Sequence, residues 1–120
     1  MVVEKMITIE LEDGEEVLSA LKNALAENKV QKATMRSVEG RIKDFDLNVF
    51  GGGAFRKKHF DEDFKVTSIH GTFLEKGNMG YKGELTVSLA GRNSNSAGGT
   101  LVNAKTFGNL IIRANIDEFK

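Results

Sequence analysis

The chain has 120 residues, with 17 basic side chains against 17 acidic ones, 40% apolar residues and no cysteine. That length fits one domain with its own core, and the apolar share is too high for a disordered chain. Balanced charge argues against nonspecific nucleic-acid binding through a basic excess, and the missing cysteines exclude disulfides, thiolate metal sites and a thiol nucleophile. The opening MVVEKMITIELEDGEE turns acidic at Glu4 and holds no long apolar run, so no signal peptide and no membrane partner are expected, and a reducing, cytoplasmic location fits. With no proline and 13 glycines, tight turns fall to Gly, Asn and Asp.

Val3, Ile7, Ile9 and Leu11 share one face of an extended segment and predict a strand, with Lys5 breaking the face. Val17, Leu18, Leu21, Ala24 and Leu25 then recur at helical spacing. Asp13 is the expected N-cap, with Glu16 as its capping-box partner, and Asn28 the expected stop. Strands are predicted from Gln31 to Val38, ended by Gly40, and from Asp44 to Phe50, where Phe45, Leu47 and Val49 alternate with polar residues. GGG at 51–53 breaks the second of these. Further strands are expected over Phe64–Leu74, closed by EKGNMG, and over Tyr81–Leu89; a last pair, Thr100–Thr106 and Asn109–Ile116, turns around Gly108. The expected fold is α+β, one domain over 1–120: a largely antiparallel sheet of six to seven strands with one N-terminal helix packed on it.

Three stretches are candidates for chemistry. FRKKHFDEDF places Arg56, Lys57 and Lys58 beside rings, as a nucleic-acid or phosphate-binding surface would, but Asp61, Glu62 and Asp63 follow and suggest a self-neutralising loop. His59 and His70 are the only histidines. Neither has a nucleophile at a recognisable elbow, and His70 reads as a strand residue that could neighbour Glu84. GGGAF and AGGT lack the GKS or GKT of a phosphate loop and read as bends. The polar stretch in GELTVSLAGRNSNSAGGT, Gly83 to Thr100, is long enough to be a binding loop or a plain surface turn. Arg92 there could hold an anion in a cleft with Asn93, Glu84, Thr86 and Thr100.

GELTVSLAG, a polar loop, and AGGTLVNAKTFGNLIIRANIDEF together resemble the PPC (plants and prokaryotes conserved) domain, stand-alone prokaryotic type. Val87, Ser88, Leu89 and Ala90 match its VSLA strand, and Gly98 and Gly99 its glycine pair. GEEVLSALKNALAENKV, VEGRIKDFDLNVF and FKVTSIHGTF resemble earlier parts, so the likeness runs nearly the whole chain. The resemblance implies a homotrimer, with an inter-subunit cleft at Glu84, Thr86, Arg92, Asn93, Gly98, Gly99 and Thr100. Many prokaryotic members carry metal-binding histidines where this chain has Glu84, Thr86 and Thr100, so no metal or other cofactor is expected. The plant Gly-Arg-Phe-Glu-Ile-Leu stretch is matched by Glu62, Asp63, Phe64, Lys65, Val66 and Thr67, which keeps only the phenylalanine. No AT-hook is present. The leading expectation is a non-catalytic, trimer-forming, DNA-associated regulator using Arg56, Lys57 and Lys58. The alternatives are an anion-binding protein or enzyme with an inter-subunit cleft, and an assembly module for a protein partner.

Overall fold

Val17, Leu21 and Leu25 of the helical stripe are buried, which requires a second layer to cover them. In the computed structural model, which describes residues 3–118, that layer is an antiparallel sheet of eight strands, with α1 (Val17–Glu27) packed on it. The strands are β1 (Val3–Leu11), β2 (Val30–Gly51), β3 (Ala54–Phe60), β4 (Phe64–His70), β5 (Thr72–Glu75), β6 (Tyr81–Gly83), β7 (Thr86–Ala90) and β8 (Ser96–Glu118). The α+β class stands; the strand count of six to seven is corrected to eight among the described residues.

The difference comes from how breakers were read. The two strands expected over 31–50 are one 22-residue strand, β2, and the two expected over 100–116 lie in one 23-residue strand, β8. Gly40 (φ +137°), Asp44 (φ +45°) and Gly108 (φ +77°) fall at or beside shifts in the β2–β8 register. At a bulge the extra residue bends the strand and leaves the ladder paired on both sides, so a breaker marks a bend and not an end. Conversely, Phe64–Leu74 divides at Gly71 into β4 and β5, and Tyr81–Leu89 divides into β6 and β7. The basic segment expected as a loop is strand β3.

β2 and β8 pair from Val30↔Glu118 to Asn48↔Thr100 and form the spine of the sheet. β1 pairs with the C-terminal half of β8, β7 with its first residues, and β4 joins β7 back to β2 at Arg41 and Ile42. Strands β2, β8, β7 and β4 therefore close a circuit. Phe45 stacks on Phe60 at 4.9 Å and meets Phe64 edge-on at 5.4 Å inside it. Burying each such side chain stabilises the fold by roughly 1.5–3 kcal/mol.

The helix begins later than expected. Its N-cap is Glu16, whose carboxylate accepts from the Leu18 and Ser19 N–H groups. Burial opposes the Glu16 charge, but these bonds and one from the Ala104 N–H hold its pKa below the ordinary value. Asp13 instead accepts from the Gly108 N–H at 2.7 Å, pinning the β1–α1 turn to the bend of β8. Asn28 is the C-cap, as expected.

Candidate functional site

β2 and β3 form a hairpin whose turn, Gly52–Gly53, has both φ values positive (+61° and +80°), as a two-residue turn of matching twist requires. Counting outward from it pairs Phe50 with Phe55, Asn48 with Lys57, Asp46 with His59, Val49 with Arg56 and Leu47 with Lys58. β3 pairs with β2 alone, and no residue from Phe50 to His59 is buried. The hairpin is thus an arm continuing the spine beyond the core.

The register splits the basic cluster. Arg56 and Lys58 lie on the face that carries Val49 and Leu47, around a hollow of about 300 Å3 with Gly51 and Gly52. The Lys58 ammonium sits 5.3 Å from the centre of the Phe60 ring. Lys57 lies on the other face, with the Phe50–Phe55 pair. Those two rings meet edge-on at 5.2 Å while 65% and 69% exposed.

Two of the three carboxylates expected to cancel the cluster, Asp61 and Asp63, are engaged by other partners. Asp63 accepts from Arg41 Nε at 2.5 Å and from Arg92 Nη2 at 3.3 Å, and the Arg41 bond chiefly holds its pKa down. Asp61 and Asp46 take the two ring nitrogens of His59, each at 2.7 Å. Asp46 also accepts from Asn103 Nδ2 at 2.9 Å; that bond, then the one to His59, lowers its pKa. The bonds to Asp46 and Asp61 raise that of His59, whose ring donates to both when protonated. Among the described residues no ion pair reaches Arg56, Lys57 or Lys58.

The candidate cleft residues separate. Thr86 pairs with Thr100 at one end of the β7–β8 hairpin, where Glu84, Asn48 and Phe55 complete a small hollow of about 160 Å3. His70, at the end of β4, pairs with Thr86 of β7, not with Glu84. Arg92 and Asn93 sit past the other end, in a connection of only Gly91–Asn95, because Ser96–Thr100 already pair with β7. Arg92 turns to Asp63 and away from Glu84 and Thr86; Asn93 holds the left-handed turn (φ +60°). Gly98 lies opposite Ser88. Gly99 (φ +156°) lets β8 approach β2: a Cβ there would stand 2.5 Å from the Asn48 carbonyl oxygen. Gly99 thus allows the close packing of β8 on β2. The hollow's donors, one carboxylate with a hydroxyl and an amide, do not fit a transition metal, and no group of three or more potential ligands occurs among the described residues. No helix among them is long and apolar enough to cross a membrane.

A helix-backed antiparallel sheet with a bent β2–β8 spine defines the class, and the comparisons agree. The model of the Plants and Prokaryotes Conserved (PCC) domain matches residues 2–115, and the chain belongs to that family, whose domain is also written PPC. No curated protein matches. Among solved structures, the chain is similar to a plant- and prokaryote-conserved (PPC) protein of Pyrococcus horikoshii, at 20% identity and TM-score 0.81, covering 100% of this chain and 85% of that one. A metal-containing protein of Archaeoglobus fulgidus is similar at 18% identity and TM-score 0.81, covering 97% and 81%. A Bacteroides thetaiotaomicron protein described as a "putative DNA binding protein" is similar at 17% identity and TM-score 0.79, covering 100% and 85%. At these identities the likeness is one of fold.

Proposed function

We propose that the chain is a non-catalytic PPC-domain protein that assembles as a homotrimer and binds the phosphate backbone of DNA through Arg56, Lys57 and Lys58. One observation carries this reading: the arm bears three cations, while Asp46, Asp61 and Asp63 are engaged by His59, Arg41 and Arg92, leaving Glu62 as the nearby carboxylate outside these contacts. A balanced total charge thereby coexists with a locally basic surface, and assembly triples it. The hollow at Glu84 and Thr100 marks where the cleft between subunits would form. The description of the Bacteroides protein points the same way. A cytoplasmic location belongs to this proposal.

The test is a titration of the purified oligomer, its mass measured first, with mixed-sequence and AT-rich duplexes at low and physiological salt. Binding should weaken steeply with salt, and replacing all three cations with alanine should lower the salt slope by about three for each arm engaged. Absence of binding at low salt overturns the DNA reading; a monomeric mass overturns the trimer.

A further inference from the structure

We propose that the groove between α1 and the β5–β6 hairpin binds a phosphate monoester carrying a flat apolar group, of the nucleoside phosphate class. The hollow measures about 720 Å3, within the range of small-molecule sites. It lies at the opposite end of β2 from the arm: β5 pairs with Lys32–Thr34, β3 with Phe45–Gly51. The assignment therefore does not rest on the DNA reading.

Three lysines from three places border the groove: Lys22 on α1, Lys29 in the α1–β2 turn and Lys82 on β6. Against them stands one carboxylate, Glu75, which accepts the Gly77 N–H. The local excess of positive charge suits a dianion. Met79 and Tyr81 supply the apolar wall. The Tyr81 hydroxyl is directed at the carbonyls of Leu25 (3.2 Å) and Val30 (2.6 Å), which fixes the ring as a surface for a flat group.

A helix C-terminus ordinarily disfavours an anion, because its last carbonyls point outward unpaired. Here three of the last four carbonyls are taken. Ala24 accepts from the Asn28 backbone and side chain, Ala26 from the Lys29 N–H and Leu25 from Tyr81. Lys29 itself is the second sign. It follows the C-cap with φ +53°, a position that favours glycine. Helix termination alone would be better served by glycine; lysine adds an ammonium at the groove.

The test is isothermal titration of the intact protein with AMP, ribose 5-phosphate, inorganic phosphate and adenosine in turn. AMP should bind saturably, more tightly than ribose 5-phosphate or phosphate, and adenosine should not bind. Lys22→Gln with Lys82→Gln should weaken AMP about tenfold or more, as loss of charge-assisted contacts predicts. Lys29→Gly separates the roles: the melting temperature should hold or rise while AMP affinity falls. The Arg56, Lys57, Lys58 triple-alanine variant should bind AMP normally. No saturable AMP binding, affinity unchanged in the lysine variants, or adenosine binding equal to AMP would overturn the proposal. Ribose 5-phosphate binding as tightly as AMP would overturn the apolar wall.

Discussion

β2 runs through two regions built on opposite terms. Its first half lies in the two-layer part of the molecule, where Val30 and Ala33 are fully buried and the Val17, Leu21, Leu25 stripe of α1 joins the same core. Its last residues leave β8 and pair with β3 alone, and there even phenylalanine is exposed. The alternation of side chains is similar in both; what differs is the presence of a covering layer. Stability accordingly concentrates under the helix, and the arm is free to vary its chemistry without endangering the fold.

The sharpest test removes a side chain under the helix. Leu25→Ala should cost about 2–5 kcal/mol in urea unfolding, whereas Phe55→Ala should leave stability within about 1 kcal/mol. Equal losses would break the contrast. Next, Gly99→Ala sets a methyl against the Asn48 carbonyl where β8 meets β2, and should cost about 1–3 kcal/mol by the same measurement. Third, Glu16→Ala removes the cap of α1, and about 1 kcal/mol should be lost.

The fourth test uses pH and acts on the arm alone. The pKa of His59 is raised above 6.5, so the stability its clamp contributes is complete below that value and is lost as pH rises through the raised pKa. The pKa of Asp46 is lowered below 3.8, so its contribution is complete above that value and is lost as pH falls through the lowered pKa. The arm should be most rigid between about pH 4 and 6.5. Amide exchange at Arg56–Phe60, corrected for intrinsic rates, should show protection falling on the alkaline side while the β1–β8 amides hold. The smallest effect on folding belongs to the triple-alanine variant of Arg56, Lys57 and Lys58, expected within about 0.5 kcal/mol of the parent in urea even as it loses DNA.

The helix was legible because its stripe repeats at 3.6 residues and because nothing distant alters that period. Its start was not, because Asp13 is claimed by Gly108, a partner 95 residues away that no local pattern announces. Gly40, Asp44 and Gly108 read as ends because the sequence shows where the backbone departs from regular geometry but not whether pairing resumes. β3 was missed because a strand with both faces in solvent needs no apolar alternation, and FRKKHF has none. A signal for it did exist: a glycine turn at Gly52–Gly53, followed outward, aligns His59 with Asp46 and the two phenylalanines with each other. The same alignment would have shown Arg56 and Lys57 on different faces. The pairing of Arg92 with Asp63 had no such signal, since it joins two connections that only the closed circuit brings together.

The β2–β8 ladder also sets how the chain must fold. Its pairs join Val30 to Glu118 and Asn48 to Thr100, so the longest ladder in the molecule joins residues far apart in sequence, and the β1–β8 ladder, from Val3↔Glu118 to Leu11↔Leu110, joins residues farther apart still. The β2–β3 hairpin and α1 need only neighbours and can form early. The spine must wait for a long loop to close, a feature of chains that fold in milliseconds to seconds. During that wait the edge of β2 that will meet β8 is unpaired, as is the outer edge of β3, where the lysines of β3 would discourage a second nascent chain from pairing. The charges read above as a surface for phosphate would, in this earlier setting, act as a guard against aggregation.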